Sequence, residues 1–273
     1  MDYLIFIIGA CIGSFLNVCI YRMPRGESII LPRSHCPLCK VTISWYDNIP
    51  ILSWFILKGK CRHCKQSISF RYPFIEFMTA ILFVIIWNFF PIDVAIAMMI
   101  FSSLLIAVTF IDLDFLMIPD RLTIGGFLFA IVVAFFLPAI HGQVSNDLFL
   151  VNAVRSFIIG LKGAFIGSGL LIWIAFMGEV ILKKESLGMA DIKLTGLIGA
   201  FCGTTGALFA IFGGAFLATC FILPVMIIKK LTSKNQESVY ATEVPFGPWL
   251  SFAAILYLLW LHGPVDSFFS LYY

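Results

Sequence analysis

The sequence predicts an all-α membrane protein, a polytopic bundle of about eight transmembrane helices with a small cytoplasmic zinc-knuckle loop. Of the 273 residues, 61% are hydrophobic and only 12% are charged, whereas about 25% of residues are charged in a typical soluble domain. Apolar stretches recur along the chain, and basic residues concentrate in the segments between them. There are too few polar side chains to cover a water-exposed surface, so the bilayer must be the solvent for most of the chain.

The apolar stretches predict the individual spans. A helix needs about 20 apolar residues to cross the hydrocarbon core. The stretches that approach this length are 3–21, 74–91, 94–111, 122–138, 157–182, 190–203, 205–228 and 246–262. The sixth is short, and its glycines, Gly196, Gly199 and Gly203, predict close packing against neighbouring helices. The first lacks the basic start and cleavage site of a signal peptide, which indicates a retained helix.

The basic residues predict the orientation. Residues 22–72 contain nine of the 18 Lys and Arg residues. If this segment is cytoplasmic, alternation of eight spans places Arg121, Lys183 and Lys229 on the same side, as the positive-inside rule requires. Both termini then lie outside the cytoplasm. A basic loop between spans is a topology signal, or a contact for acidic membrane lipid, and we expect no nucleic-acid partner.

Three regions follow from this pattern. Residues 1–21 form the first transmembrane helix, residues 22–73 a cytoplasmic basic loop that contains four cysteines, and residues 74–273 a membrane core with about seven helices. The loop has about 50 residues, which is too few to bury a sizeable apolar core. It therefore needs another source of stability.

The cysteines of the loop supply a candidate. They form a C-x2-C-x21-C-x2-C pattern, and they are Cys36, Cys39, Cys61 and Cys64. Two residues between cysteines let both thiolates of a knuckle bind one tetrahedral ion, and two knuckles complete the site. Zinc binding of this kind contributes about 10–16 kcal/mol to folding. Disulfides are disfavoured in a reducing cytoplasm, while redox-active dithiols and unliganded thiols remain alternatives to structural zinc.

Two acidic residues at span ends predict a second site. Asp112 ends the third span and Asp191 begins the sixth, so the predicted topology places both at the cytoplasmic edge of the membrane. In peptide hydrolysis an ionised carboxylate takes a proton from water while a protonated partner donates one to the scissile carbonyl. Two neighbouring carboxyls would share one proton and titrate together. The alternative is that these residues, with Asp114 and Asp120, are interfacial residues or helix caps.

Seven motifs in order resemble the type IV prepilin peptidases (prepilin leader peptidase/N-methyltransferase) of the GxGD aspartyl peptidase family. The motifs are residues 13–18 with Arg22 and Pro24, the four-cysteine loop, residues 48–50, residues 71–73 with Glu76, residues 112–120, residues 188–194 and residues 245–248. The resemblance covers nearly the whole chain. Any one motif is weak, but their order makes the resemblance specific.

The resemblance implies an aspartyl endopeptidase in the cell inner membrane, with its active site facing the cytoplasm. It would remove the leader peptide of type IV prepilins or pseudopilins after a glycine and methylate the new N-terminus with S-adenosylmethionine. Asp112 matches the first catalytic position, with Asp114 as the alternative, and Asp191 matches the second. The second glycine of GxGD is Ala190 here, which adds one methyl group and leaves the carboxylate in place.

Two other functions are alternatives to the enzyme. In a polytopic transporter, Asp112, Asp191, Lys162 and Glu179 would line a pathway, and in a non-catalytic membrane assembly factor the zinc loop would bind partners. Transporters favour inverted repeats and broken helices near the bilayer midplane, whereas no repeat is evident here and the notable acids lie at one edge. No glycine-rich strand-turn-helix signature is present, so no residue is assigned to the methyl donor.

Overall fold

The chain is mainly helical in the parts that its structure, a computed structural model, describes: residues 1–145, 147–183, 187–232 and 245–261. Within them the only β-type pairings are two isolated bridges in the cysteine loop. The chain divides into two units, Met1–Ile111 and Asp112–Tyr273. The prediction of an all-α fold is confirmed.

The α-helices are joined by short connections except in the cysteine loop between α1 and α3. In the described residues they are α1 (Asp2–Arg22), α2 (Leu52–Ile56), α3 (Arg71–Phe89), α4 (Ile92–Phe115), α5 (Asp120–Phe136), α6 (Phe149–Leu182), α7 (Met189–Thr232) and α8 (Gly247–Leu256). A π-helical turn, Tyr257–Leu261, continues α8.

The protein is a multi-pass membrane protein, but the prediction of eight spans is not confirmed. Five helical segments in the described ranges are long and apolar enough to cross a membrane, and they are Asp2–Arg25, Arg71–Phe89, Ile92–Phe115, Phe149–Ile181 and Met189–Ile227. α5 has only 17 residues, and the apolar segment Gly247–Leu261 is also shorter than a full span. The sixth and seventh predicted spans form one helical element, α7.

A break at Gly203 divides α7 into two helical segments. The helix has 44 residues, which at 1.5 Å per residue would extend for about 66 Å, twice the roughly 30 Å of a hydrocarbon core. Gly203 has φ 67° and ψ −170°, a backbone conformation that glycine adopts readily because it has no Cβ. The break lies where the predicted stretches 190–203 and 205–228 meet.

Close packing of α6 against α7 depends on two glycines that face each other. A Cβ atom added to Gly163 would lie 2.2 Å from the carbonyl oxygen of Gly199, and one added to Gly199 would lie 2.3 Å from that of Gly163. Small residues let helix backbones approach in membranes, where van der Waals packing drives association. The predicted close packing of Gly199 is confirmed, and its partner is Gly163.

In the first unit, α1 and α3 meet in a similar way. A Cβ added to Gly9 would lie 2.7 Å from the Cα of Ala80, and one added to Gly13 would lie 2.6 Å from the Cα of Glu76. Near this contact the buried Asn17 side chain donates a hydrogen bond of 3.1 Å to the carbonyl oxygen of Tyr72. The bond satisfies a polar group that would otherwise be buried without a partner.

Candidate functional site

Asp112 is a buried carboxyl near the end of α4. Its side chain is directed away from solvent and the residue is only 6% exposed, whereas Asp114 is exposed. Residues two positions apart on a helix face different directions. When one of these acids is buried, the other therefore lies on a different face of the helix. Leu116, at φ 52°, then ends the helix. Of the two acids considered for the first position, Asp112 is therefore the buried one.

The Asp112 carboxyl meets the first residue of α8. Its Oδ2 accepts a hydrogen bond of 3.1 Å from the backbone N–H of Gly247. The first N–H groups of a helix have no partner within the helix, and the helix dipole favours an anion at this end. The N-terminus of α8 therefore provides both a donor and a favourable field for this carboxyl.

Asp191 lies in the first turn of α7 and is only 8% exposed. It too is at the N-terminal end of a helix, where the dipole favours negative charge. Gly188 lies beside the carboxyl, since a Cβ added there would be 3.7 Å from Asp191 Oδ2. Ala190, which replaces the motif glycine, lies within the helix, so its methyl group is compatible with the local backbone.

The structure brings the two predicted acids together. Both Asp112 and Asp191 belong to the unit Asp112–Tyr273, and the Asp112 carboxyl lies within Coulombic range of the Asp191 carboxyl. Their positions are 79 residues apart along the chain and at the ends of different helices.

A cavity lies beside the first turns of α7, and neither Asp112 nor Asp191 is among its lining residues. It has a volume of about 320 Å³ and lies among α5, α6 and α7, with Phe127, Phe165 and Ile172 among its mainly apolar lining residues and Lys193 at its edge. Lys193 also forms an ion pair of 2.6 Å with Asp120 at the start of α5. Pro119 occupies the N-cap position of α5 and Asp120 is the first residue of the helix, so the prediction that Asp120 is the N-cap is wrong.

The residues proposed for a transporter pathway are not grouped around this site. Lys162 and Glu179 both lie in α6, and both are exposed. α6 begins at Phe149, so Lys162 lies well inside the helix. Their exposure does not favour a shared pathway with the buried pair, Asp112 and Asp191.

The four predicted metal ligands form a single cluster in the first unit. The Sγ atoms of Cys36, Cys39, Cys61 and Cys64 all lie within 4.8 Å of one another. The Sγ atoms of Cys36 and Cys64 are 3.7 Å apart. Zn–S bonds of about 2.3 Å in a tetrahedron require Sγ atoms about 3.8 Å apart. The donor set and its spacing therefore fit a zinc ion, and these residues would hold it.

The two knuckles share one backbone design. Lys40 donates its backbone N–H to the carbonyl of Cys36, and Lys65 donates to that of Cys61. Both lysines have positive φ, 59° and 58°. The turn that follows each pair of cysteines folds the chain back, and the two Sγ atoms of each knuckle lie within 4.8 Å of each other.

Two polar contacts that the sequence did not predict hold the loop. Arg62 donates two hydrogen bonds, of 2.7 and 2.6 Å, to the carboxylate of Asp47, in the bidentate geometry that favours Arg–carboxylate pairs. These bonds lower the pKa of Asp47. The buried Glu76 of α3 accepts a hydrogen bond of 2.7 Å from the backbone N–H of Ile51. Glu76 and Gly247 both lie in recognised motifs, but no local pattern indicates their partners.

Two family models match successive ranges of the chain. The Bacterial Peptidase A24 N-terminal domain matches residues 7–90, which lie in the first unit. The Type IV leader peptidase family matches residues 99–223, a range that includes Asp112, Asp191 and the break at Gly203. No solved structure matches the chain significantly.

Characterised relatives extend over nearly the whole chain. The "Type 4 prepilin-like proteins leader peptide-processing enzyme" of Escherichia coli is 37% identical over 90% of this chain and 89% of its own length. The "Prepilin leader peptidase/N-methyltransferase" of Aeromonas hydrophila is 32% identical over 94% of this chain and 90% of its own. The protein of the same name from Pseudomonas aeruginosa is 29% identical over 93% and 88%. The chain is therefore a member of the type IV leader peptidase family.

Proposed function

We propose that this protein is an aspartyl endopeptidase that removes the leader peptide from type IV prepilins or pseudopilins, with Asp112 and Asp191 as its catalytic pair. The observation that carries the proposal is the pairing itself: two buried carboxyls lie within Coulombic range of each other. Asp191 is in the first turn of α7, and the Asp112 carboxyl accepts a hydrogen bond from the first residue of α8. The names of the relatives supply the substrate class, since two of them are named as prepilin leader peptidases.

The pair can divide the work of hydrolysis. The ionised carboxylate takes a proton from a water molecule, whose oxygen attacks the scissile carbonyl carbon, and the protonated carboxyl donates its proton to the carbonyl oxygen. In the second step the carboxyl that took the proton from water passes it to the leaving amine as the carbon–nitrogen bond breaks, and the other carboxyl recovers its proton from the hydroxyl formed on the carbonyl oxygen. Burial supports this chemistry, because charge interactions are stronger where water is excluded.

We infer that the active site faces the cytoplasm in the cell inner membrane. The basic segment 22–72 supports this orientation through the positive-inside rule. In the sequence-based topology, the end of α4 and the start of α7 lie on the same side as that segment. Cysteine accessibility tests the orientation: in cells, a Cys introduced at the exposed Asp114 should react only with a membrane-permeant thiol reagent.

We also propose that the protein methylates the new N-terminus with S-adenosylmethionine, which supplies a methyl group from its sulfonium to the amine. The names of the relatives from Aeromonas hydrophila and Pseudomonas aeruginosa include this activity. The cysteine loop, residues 22–73, is the proposed methyltransferase-associated region, with zinc holding its two knuckles together.

Peptide cleavage tests the peptidase directly. Purified protein in lipid or detergent should release the leader from a prepilin-like peptide, and Asp112→Ala and Asp191→Ala should each lose the activity. Asp114→Ala is the matched control, because this acid lies two residues from Asp112 but is exposed, and its activity should stay near that of the unmodified protein. Full cleavage by either Asp112→Ala or Asp191→Ala would overturn the assignment of that residue.

Methylation is measured in the same reaction with labelled S-adenosylmethionine. Label should enter the mature peptide only after the leader has been removed, because the methylated amine does not exist before cleavage. The Asp112→Ala variant separates the two activities. It should incorporate no label when the uncleaved peptide is supplied, but it should still incorporate label when the mature peptide is supplied. An absence of label with mature peptide would refute the methyltransferase proposal and leave the peptidase proposal intact.

A further inference from the structure

Gly247 touches Asp112 more closely than any larger residue could. The backbone N–H of Gly247 donates to Asp112 Oδ2 at 3.1 Å. A Cβ atom added to Gly247 would lie 2.6 Å from the same oxygen, 3.3 Å from Asp112 Cγ and 3.4 Å from Ile118 Cδ1. Non-bonded carbon and oxygen atoms essentially never approach to 2.6 Å, so any side chain at this position would displace the carboxyl group.

The backbone conformation at this position does not itself require glycine. The described glycines with positive φ are Gly26, Gly59, Gly142 and Gly203, and Gly247 is the first residue of α8 with ordinary helical geometry. Alanine is a better helix former than glycine. The reason for glycine here is therefore the space that it leaves for the Asp112 carboxyl.

We propose that Gly247 is a positioning residue of the catalytic site, whose N–H and missing side chain together hold Asp112 Oδ2 against the N-terminus of α8 and so orient the carboxyl toward Asp191. The inference rests on the proposed function in one respect, namely that Asp112 is catalytic. A group held within a few tenths of an ångström of its productive position matters to the rate, because misplacement by about 1 Å costs on the order of 100-fold.

Steady-state cleavage of a prepilin-like peptide tests the positioning role. Gly247→Ala keeps the N–H and adds only the Cβ, so kcat should fall by about 10- to 100-fold while KM stays within about twofold, because substrate binding does not involve the displaced oxygen. Gly125→Ala is the matched control: Gly125 is in α5, is exposed and has nothing within 4 Å of an added Cβ. An unchanged kcat in Gly247→Ala, or an equal loss in Gly125→Ala, would overturn the proposal.

A thermal unfolding cycle tests the contact without any use of activity. Gly247→Ala should lower the Tm of the purified protein, and this loss should disappear in the Asp112→Ala background, where the opposing carboxyl is absent. If Gly247→Ala alone does not fold, recovery of folded protein in the double variant is the same result. A loss of Tm that is equal in both backgrounds, or a double variant that also fails to fold, refutes the contact as the cause.

The two measurements separate this inference from the function on which it rests. If the unmodified protein cleaves no prepilin-like peptide, the proposed function fails, while the unfolding cycle still decides whether Gly247 holds the Asp112 carboxyl. If cleavage depends on Asp112 and Asp191 but not on Gly247, the function stands and the positioning role is wrong.

Discussion

The carboxylate of Glu76 accepts a hydrogen bond of 2.7 Å from the backbone N–H of Ile51, which ties α3 to the cysteine loop. Ile51 precedes α2 and has φ 65°, a conformation that branched residues rarely adopt. A buried acceptor that pairs with this N–H offsets part of the strain. The contact joins the membrane part of the first unit to the loop that contains the proposed zinc site.

Removal of this acceptor should loosen the loop. Glu76→Ala leaves the partly buried N–H of Ile51 without its partner and should cost about 1 kcal/mol locally, whereas Glu76→Gln keeps an acceptor oxygen and should cost less. Amide hydrogen exchange followed by mass spectrometry should show faster exchange around Ile51 in the order unmodified, Gln, Ala. Glu27→Ala, at an exposed acid of the same loop, should leave exchange unchanged, and equal exchange in all four proteins would contradict the prediction.

Substitution of one knuckle cysteine should abolish stoichiometric zinc. Elemental analysis of the purified protein should find about one zinc per chain, because four thiolates close a single tetrahedral site. Cys36→Ser should reduce this value well below one, since three thiolates do not complete the site. Cys220→Ser, at an exposed cysteine of α7, should retain the zinc. Zinc retained by Cys36→Ser, or absent from the unmodified protein, would exclude the proposed metal site.

The two acids should act as one unit in catalysis. Asp112→Asn and Asp191→Asn should each lower kcat by about 100- to 10,000-fold, the usual contribution of general acid–base catalysis. The kcat of the double variant should be within about tenfold of that of the less active single variant. Groups that share one proton lose their joint function when either is removed. Single-turnover cleavage measures all three, and multiplicative losses would indicate that the residues act independently.

A methyl group at Gly163 should disrupt the packing of α6 against α7. Gly163→Ala places a Cβ 2.2 Å from the carbonyl oxygen of Gly199, and overpacking of this kind costs about 1–3 kcal/mol. Gly169→Ala in the same helix meets nothing within 4 Å and should be neutral or slightly stabilising, because alanine favours helix. Thermal unfolding in detergent compares the two, and an equal Tm for both variants would show that the contact is relaxed at little cost.

His141 should make the stability of the second unit depend on pH. Burial lowers the pKa of His141 to about 4, from an ordinary value of 6.5, and its Nδ1 lies 2.8 Å from Ser156 Oγ. Between pH 6.5 and 4 the unfolded chain binds the extra proton while the folded chain does not. Stability therefore falls as the pH is lowered through this window, by at most about 3 kcal/mol, and not further below pH 4.

The variant His141→Asn isolates this effect. Asparagine can preserve the contact with Ser156 but does not titrate, so the difference in unfolding free energy between the two proteins should shift in favour of the variant as the pH falls from 6.5 to 4. Other acids contribute equally to both proteins and cancel in the difference. Parallel stability curves over this range would show that His141 does not carry the dependence.

Several properties of this protein follow from the sequence because they depend on composition or on short spacings. The scarcity of charge requires a membrane environment whatever the topology, since burial in lipid is additive over many residues. Two residues between cysteines fix the shape of each knuckle locally, and the resulting Sγ cluster is confirmed. The glycines of the sixth predicted span indicated close packing, and Gly199 provides it.

Only the tertiary structure decided the relationships between distant residues. It joined two predicted spans into α7 with a break at Gly203, selected Gly163 as the partner of Gly199, and set Gly247 against Asp112 across 135 residues of chain. Periodicity and spacing describe a residue and its neighbours within a turn or two. Which helix end meets which carboxyl depends on how whole helices pack, and many packings are compatible with the same apolar pattern.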